Sequence, residues 1–258
     1  MTKTKFQDQS ARAASVQALR EEYFSACRDN DVERVRDLLE QGAEVNWRTE
    51  DDMSGLHYAA RYNYGELVEV LLGQKGVNVN ITKNKNWTPL MAACCAGHEN
   101  IVRRLCRAPN INLNIRAENG VTPLHAALLR NKPRCVEVFR DVAAVDWNVR
   151  TNSGDYPLTW AVESGYPEIL RTILSVPEPQ LDVSVTDPEG RTVGQIAVEK
   201  SWGDRQRCLE ILCQDQRISW DVRAPATGQT LSETRILSFS LKCLSIQMSL
   251  FVSVKCLY

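Results

Sequence analysis

The chain has 258 residues, 43% of them hydrophobic and 24% charged, with 31 Lys and Arg against 32 Asp and Glu and a formal net charge of -1. That balance describes an ordinary globular protein and excludes the disordered and membrane classes. With no long single-sign run, it also lacks the footprint of a nucleic-acid or anionic-membrane binder, so neither is expected as a partner. In chain order, the opening "MTKTKFQDQSARAASVQALREE" has no apolar core of the signal-peptide type. Its Arg-Ala-Ser content is faintly like a transit peptide, but Glu21 and Glu22 follow at once. Residues 1–18 are therefore expected to form a helical lead-in. Nine cysteines occur, an odd number without Cys-x-x-Cys spacing, which suits reduced packing groups in a cytoplasmic or nuclear protein better than a disulfide framework or a zinc site.

Residues 19–223 repeat. Leu56, Leu90, Leu124 and Leu158 stand 34 apart, in "SGLHYAA", "TPLMAAC", "TPLHAAL" and "YPLTWAV". A second marker, Asn46, Asn80, Asn114 and Asn148, keeps the same interval of 34. Two markers in phase predict a repeated supersecondary unit. Upstream, Tyr23 takes the place of Leu56 at a distance of 33 residues, and downstream "GRTVGQIAVEK" keeps the frame, with extra residues around Trp202 to Asp204. Six units are counted.

Each recurrent residue has a physical task. Thr88 and Thr122 are expected to cap a helix start, with Pro89 and Pro123 at N1, where a missing N–H costs nothing. Leucine followed by two alanines, as in Leu56 to Ala60, lets a neighbouring helix approach closely. Gly97 and Gly165 suit the left-handed position that ends a short helix. A second apolar-periodic stretch follows, such as "GELVEVLL" or "ENIVRRLC", and then an Asn- and Lys-rich segment, "VNVNITKNKN", that suits a turn or hairpin. One such unit cannot bury its own apolar faces, so neighbours must stack. The fold class expected is all-α, a solenoid of about six helix-turn-helix units with projecting β-hairpin loops.

These residues resemble ankyrin repeats, whose pattern includes Gly-x-Thr-Pro-Leu-His, Ala-Ala, Gly-His, Val-x-x-Leu-Leu and a closing Val-Asn. The resemblance covers about Tyr23 to Asp221. It departs at Ser54-Gly55-Leu56 in the second unit, at Tyr156 in the fifth, and at Thr192-Val193-Gly194 in the sixth, which is expected to be a distorted cap. The resemblance implies that His57 and His125 tie a hairpin to a helix start and that His98 belongs to a Gly-His turn. All three histidines are thereby accounted for. There is no phosphate-cradling glycine loop, no Gly-x-Ser-x-Gly and no His-Glu-x-x-His, so no catalytic residue, metal site or cofactor is expected.

What the resemblance implies is binding, of one or more proteins, by hairpin tips and the exposed side of each first helix. Matching positions gives Met53, Lys85, Trp87, Glu118, Val121, Asn152 and Asp155 at the tips, and Arg61, Tyr62, Arg130 and Glu163 on the helices. Trp87 is the first candidate anchor, with Tyr62, Met53 and Trp47 on its face; packing of Trp87 against the neighbouring hairpin is the alternative. Trp147, Trp220 and Trp160 are expected in the core. Asn46, with Leu38 eight residues before it, resembles the asparagine that an iron-dependent oxygenase hydroxylates in animal ankyrin hairpins, and plain turn capping is the alternative. The expected function is a non-enzymatic protein-interaction module or scaffold; the alternative is a substrate-recognition adaptor of a multiprotein enzyme such as a ubiquitin ligase. Residues 224–258 read as the opening of a seventh unit and an atypical Ser-rich apolar tail, without the defining residues of an elongin-binding box.

Overall fold

The computed structural model describes residues 2–199, 204–218 and 220. The insertion around Trp202 and the segment 224–258 lie outside the described residues. The chain divides into two compact bodies, Met1–Glu118 and Asn119–Tyr258.

The first body is three helix pairs. They are α1 (Thr2–Asp29) with α2 (Val32–Glu40), α3 (Gly55–Tyr62) with α4 (Gly65–Leu72), and α5 (Pro89–Ala96) with α6 (Glu99–Cys106). The first helices stack α1 on α3 on α5, and the second helices α2 on α4 on α6. The lead-in is continuous with the first unit in one 28-residue helix. Glu21 and Glu22 therefore lie well inside α1, and Glu22 pairs with Arg34 of α2. Leu56, Ala59, Ala60, Leu90 and Ala93 are buried between the first helices, as close approach of small residues requires.

The helix starts follow the caps. Thr88 Oγ1 accepts the Met91 N–H at 3.2 Å, with Pro89 at N1. In the second unit Ser54 caps instead, and the missing proline has a steric cause. A Cβ on Gly55 would stand 2.8 Å from Cys27 Sγ and 3.0 Å from Tyr23 Oη. Tyr23 and Cys27 are fully buried there, and the Tyr23 hydroxyl donates to the Val45 carbonyl at 3.2 Å. A proline ring would have to displace them. Gly97 ends α5 in the left-handed conformation, and Asn63 does the same for α3, with φ of 87° and 65°.

The second body repeats the scheme with α7 (Pro123–Leu128), α8 (Pro133–Arg140), α9 (Pro157–Ser164), α10 (Pro167–Leu174), α11 (Val193–Glu199) and α12 (Asp204–Gln214). α7 packs on α9 and α9 on α11, while α8, α10 and α12 form the second row. Where Tyr156 replaces threonine, the cap moves to N3: Thr159 Oγ1 accepts the Tyr156 N–H at 3.0 Å. In the sixth unit Thr192 still caps, accepting the Gln195 N–H at 3.3 Å, while Gln195 Oε1 accepts the Thr192 N–H at 2.8 Å. The expected distortion there does not prevent a reciprocal capping box.

The described residues thus form twelve α-helices in six pairs, and the fold is all-α. The hairpins are slighter than expected: among the described residues they contain isolated antiparallel bridges, at Arg48–Ser54, Lys83–Trp87 and Thr186–Thr192. Trp147 is core at 2% exposure. Trp160 and Trp220 are only half-buried, a correction to their expected place, and Trp160 lies 5.9 Å from the His125 ring.

Candidate functional site

The closing asparagines explain how one hairpin is held to the next. Asn46 Oδ1 accepts the Asn78 N–H at 2.7 Å while its Nδ2 donates to the Gly76 carbonyl at 2.8 Å. Asn80 does the same with the Asn112 N–H, 2.8 Å, and the Asn110 carbonyl, 2.7 Å. In the second body Asn148 takes the Asp182 N–H, 2.8 Å, and the Gln180 carbonyl, 3.0 Å. The asparagine amide supplies an acceptor and a donor on two separate atoms, so one short side chain reaches two main-chain groups at once. Replacing Asn80 with Asp keeps the acceptor but sets a carboxylate oxygen against the Asn110 carbonyl. Urea unfolding of Asn80→Asp is expected to show a loss of about 1–3 kcal/mol, and an unchanged midpoint would deny the clip its role. Asn46, the hydroxylation candidate, is half-buried with its amide engaged at both ends.

The histidines add a second set of ties. His57 Nε2 lies 2.9 Å from the Trp87 carbonyl, which can only accept, so Nε2 carries the proton. Its Nδ1 is then the acceptor for the Ser54 hydroxyl at 2.8 Å. Burial, with the Lys83 and Arg48 charges adding to it, pushes the His57 pKa down to about 4, so the ring is neutral near pH 7. His98 Nε2 donates to the Arg61 carbonyl at 2.9 Å, joining α6 to the end of α3.

With backbone and histidines committed to the frame, what remains at the surface of the first body is a run of aromatic and basic side chains. Tyr62 at the end of α3 is 47% exposed. Its ring lies 4.6 Å from Tyr58, one turn earlier, and 6.1 Å from Tyr64. Tyr58 meets Phe24 of α1 at 5.7 Å, and Phe24 meets Trp47 at 6.0 Å, both edge-on. The Arg61 guanidinium sits 5.8 Å from the Tyr62 ring centroid. At the tips, Met53 is half-buried with its Sδ 3.4 Å from Lys83 Nζ. Lys85 is exposed at the head of the Asn84–Asn86 turn, in the left-handed conformation. Trp87 is half-buried, and Glu118 is exposed with its N–H donating to the Lys85 carbonyl at 3.0 Å. Trp47 belongs with Phe24 in this arrangement. Lys83 lies in the tip segment 83–87 that position alone points to, whereas nothing in the sequence marks Phe24 or Tyr58 as surface residues; the only signal for Tyr58 is an aromatic at the place where other units carry Ala92, Ala126 or Trp160.

In the second body Arg130 and Asn152 are exposed and Glu163 is half-buried, 3.9 Å from Arg191. Asp155 is turned into its own hairpin, where Ser153 and Thr151 donate to it. Val121 is a correction. At 3% exposure it is part of the core and offers a partner no surface.

Among the described residues no group of three or more His, Cys, Asp or Glu side chains is placed to hold a metal ion. No described helix is long and apolar enough to cross a membrane. Outside the tips, a cleft of about 550 Å³ on the second helices is lined by Arg36, Glu66, Glu69 and Arg104, whose charges already pair with one another.

Three successive matches to the ankyrin-repeat family model cover residues 23–117, 56–144 and 110–187, together more than half of the chain. The chain belongs to the ankyrin-repeat family. Within the ankyrin repeats it is similar to stretches of several proteins. It is 42% identical over 82 residues to the Ankyrin repeat and KH domain-containing protein mask of Drosophila melanogaster, a match covering 30% of this chain and 2% of that protein. It is 39% identical over 80 residues to the Probable E3 ubiquitin-protein ligase XBOS32 of Oryza sativa subsp. japonica, covering 30% and 16%. It is 32% identical over 68 residues to the 26S proteasome non-ATPase regulatory subunit 10 of Dictyostelium discoideum, covering 26% and 29%. The chain thus spans less than a third of each of these relatives.

Proposed function

We propose that this ankyrin-repeat chain is a protein-binding module without chemistry of its own. Its partner docks on the hairpin tips and the exposed residues of the first helices, with the first body as the principal contact. The observation that carries this reading is Tyr62, 47% exposed yet held by Tyr58 at 4.6 Å. An aromatic side chain that is both solvent-facing and rigid loses little freedom when a partner covers it, and it has a large apolar area to bury. Met53, Arg61, Lys85 and Trp87 surround it in the proposed contact, with Glu118 beyond them; Arg130, Asn152, Asp155 and Glu163 are the corresponding positions of the second body. Cysteines used as packing groups, such as Cys27, Cys94, Cys135 and Cys208, all fully buried, suit the reducing cytoplasm or nucleus.

The full chain used as bait, beside Tyr62→Ala/Trp87→Ala, tests this. One or a few proteins are expected to be lost selectively from the variant, while its unfolding free energy stays within about 1.5 kcal/mol of the wild type, the scale of an aromatic pair. An identical bound set on both baits would place the contact elsewhere. The adaptor variant of this reading draws on two relatives whose names include a ubiquitin-protein ligase and a proteasome subunit. A ligase co-purifying with the bait would favour it.

A further inference from the structure

Most of the charged side chains described on the first body are mutually satisfied. Arg20 pairs with Glu44, Arg34 with Glu22, Arg36 with Glu33 and Glu66, Arg48 with Asp52, Arg103 with Glu99 and Arg104 with Glu69. Among the described residues Arg61, Lys75, Lys83, Lys85 and Arg107 make no such pair. Lys75 and Arg107 follow the second helices α4 and α6, whereas Arg61, Lys83 and Lys85 belong to the tips and the α3 surface beside Tyr62.

We infer that the segment bound there is an acidic peptide carrying an aromatic residue, its carboxylates meeting Arg61, Lys83 and Lys85 and its ring meeting Tyr62. This rests on the protein-binding reading above and names the chemistry of the partner. Lys83 is the most informative of the three. It is half-buried, and its ammonium faces Met53 Sδ at 3.4 Å with no oxygen acceptor among the described residues. Burial, with the Arg61 charge adding to it, holds its pKa below the usual lysine value. A cation in poor solvation beside a like charge gains from an arriving carboxylate on both counts. Arg61 is already oriented, lying against the Tyr62 ring, so less freedom is lost when its planar fork takes a carboxylate. The tilted ring pair of Tyr58 and Tyr62 continues to Phe24 and Trp47, giving the partner's aromatic residue an edge or face to meet.

Cations beside aromatic rings also suit single-stranded nucleic acid, and here the neighbouring tip decides. Glu50 and Asp51 are exposed on it, and the Asp51 carbonyl accepts from Asn84 Nδ2 at 3.4 Å, which sets the two tips side by side. A phosphate backbone, charged at every nucleotide, would run into these carboxylates. A peptide can carry its acids only where the three cations stand.

The test is selection of a randomised displayed peptide library on the immobilised full chain, followed by titration of recovered peptides against Arg61→Glu/Lys83→Glu and Tyr62→Ala, with polyuridine as the nucleic-acid probe. Recovered peptides are expected to be rich in Asp and Glu with an aromatic residue. They should lose about tenfold or more in affinity on the charge reversal and weaken as salt is raised. Neutral or basic peptides that fall off Tyr62→Ala would overturn the acidic inference and leave the docking surface standing. Peptides indifferent to both variants, or no enrichment at all, would overturn both. Tighter binding of polyuridine through the same residues would also overturn the inference. Thermal melting of each variant checks the fold, and Arg61→Gln/Lys83→Gln supplies the same readout, with a smaller loss, should the reversal unfold the body.

Discussion

Leu124→Ala is expected to cost the second body about 2–5 kcal/mol, the range for truncating a buried leucine and leaving part of its cavity behind. Leu124 is 1% exposed and follows Pro123 in α7, a helix of six residues packed against α8 and α9. So short a helix has little stability of its own, because nucleation costs more than a few hydrogen bonds return. What holds it is the burial of its apolar face, and Leu124 is the largest side chain at its start. In urea the midpoint should fall while the slope stays constant, the sign that stability and not the extent of unfolding has changed. Leu129→Ala is the companion measurement. Leu129 ends the same helix but is 39% exposed, so its change should lie within about 0.5 kcal/mol. Equal effects at the two positions would mean that the leucine of the Thr-Pro-Leu element is not the anchor of the unit.

The second large effect is expected in acid. His57 has a folded pKa of about 4 against an ordinary value of 6.5, because a charged imidazole would be desolvated beside Lys83 and Arg48. The unfolded chain therefore takes up the proton first as pH falls. The His57 contribution to stability is complete above pH 6.5, is lost as pH drops from 6.5 to 4, and changes no further below that. At about 1.4 kcal/mol for each pKa unit the loss across this window is about 3 kcal/mol. Carboxylates titrate nearby, so the useful quantity is a difference between wild type and His57→Gln. Gln195 shows that glutamine at this helix position completes the capping box without a titrating ring. The variant should start less stable near pH 7, having lost the 2.9 Å tie to the Trp87 carbonyl, and should fall less steeply in acid. Parallel stability curves from pH 7 to 4 would show that His57 is solvated.

The framework was legible in the sequence because its parts act locally or at a fixed period. A Thr88 cap acts three residues on, and a leucine every 34 residues marks the face that each short helix must bury. The asparagines were legible as a phase and not as a device, since a hydrogen bond from Asn80 to residues 30 and 32 further on leaves no mark in either segment alone. Gly55 read as a blemish until the bulk of Tyr23 and Cys27 explained it. The surface was less legible. Val121 looked like a tip residue by position, but it is buried. The contact of Phe24 with Tyr58 joins residues 34 apart, and each stands at a place where the repeat tolerates many side chains. Exposure and contact at such places follow from packing, which no period encodes.

The hydrogen bonds by which the asparagines, His57 and Arg48 reach the next unit share one property with a consequence for how such a chain changes over generations. Asn46, Asn80 and Asn148 reach main-chain atoms of the next unit, His57 reaches the main-chain oxygen of Trp87, and Arg48 that of Thr82. The receiving residue contributes only its peptide group, which every amino acid carries. Mutation at Trp87 or Thr82 can thus alter what the exterior recognises while the bracing beneath it survives. Such a scaffold is evolvable: it can be re-addressed to a new target one outward side chain at a time.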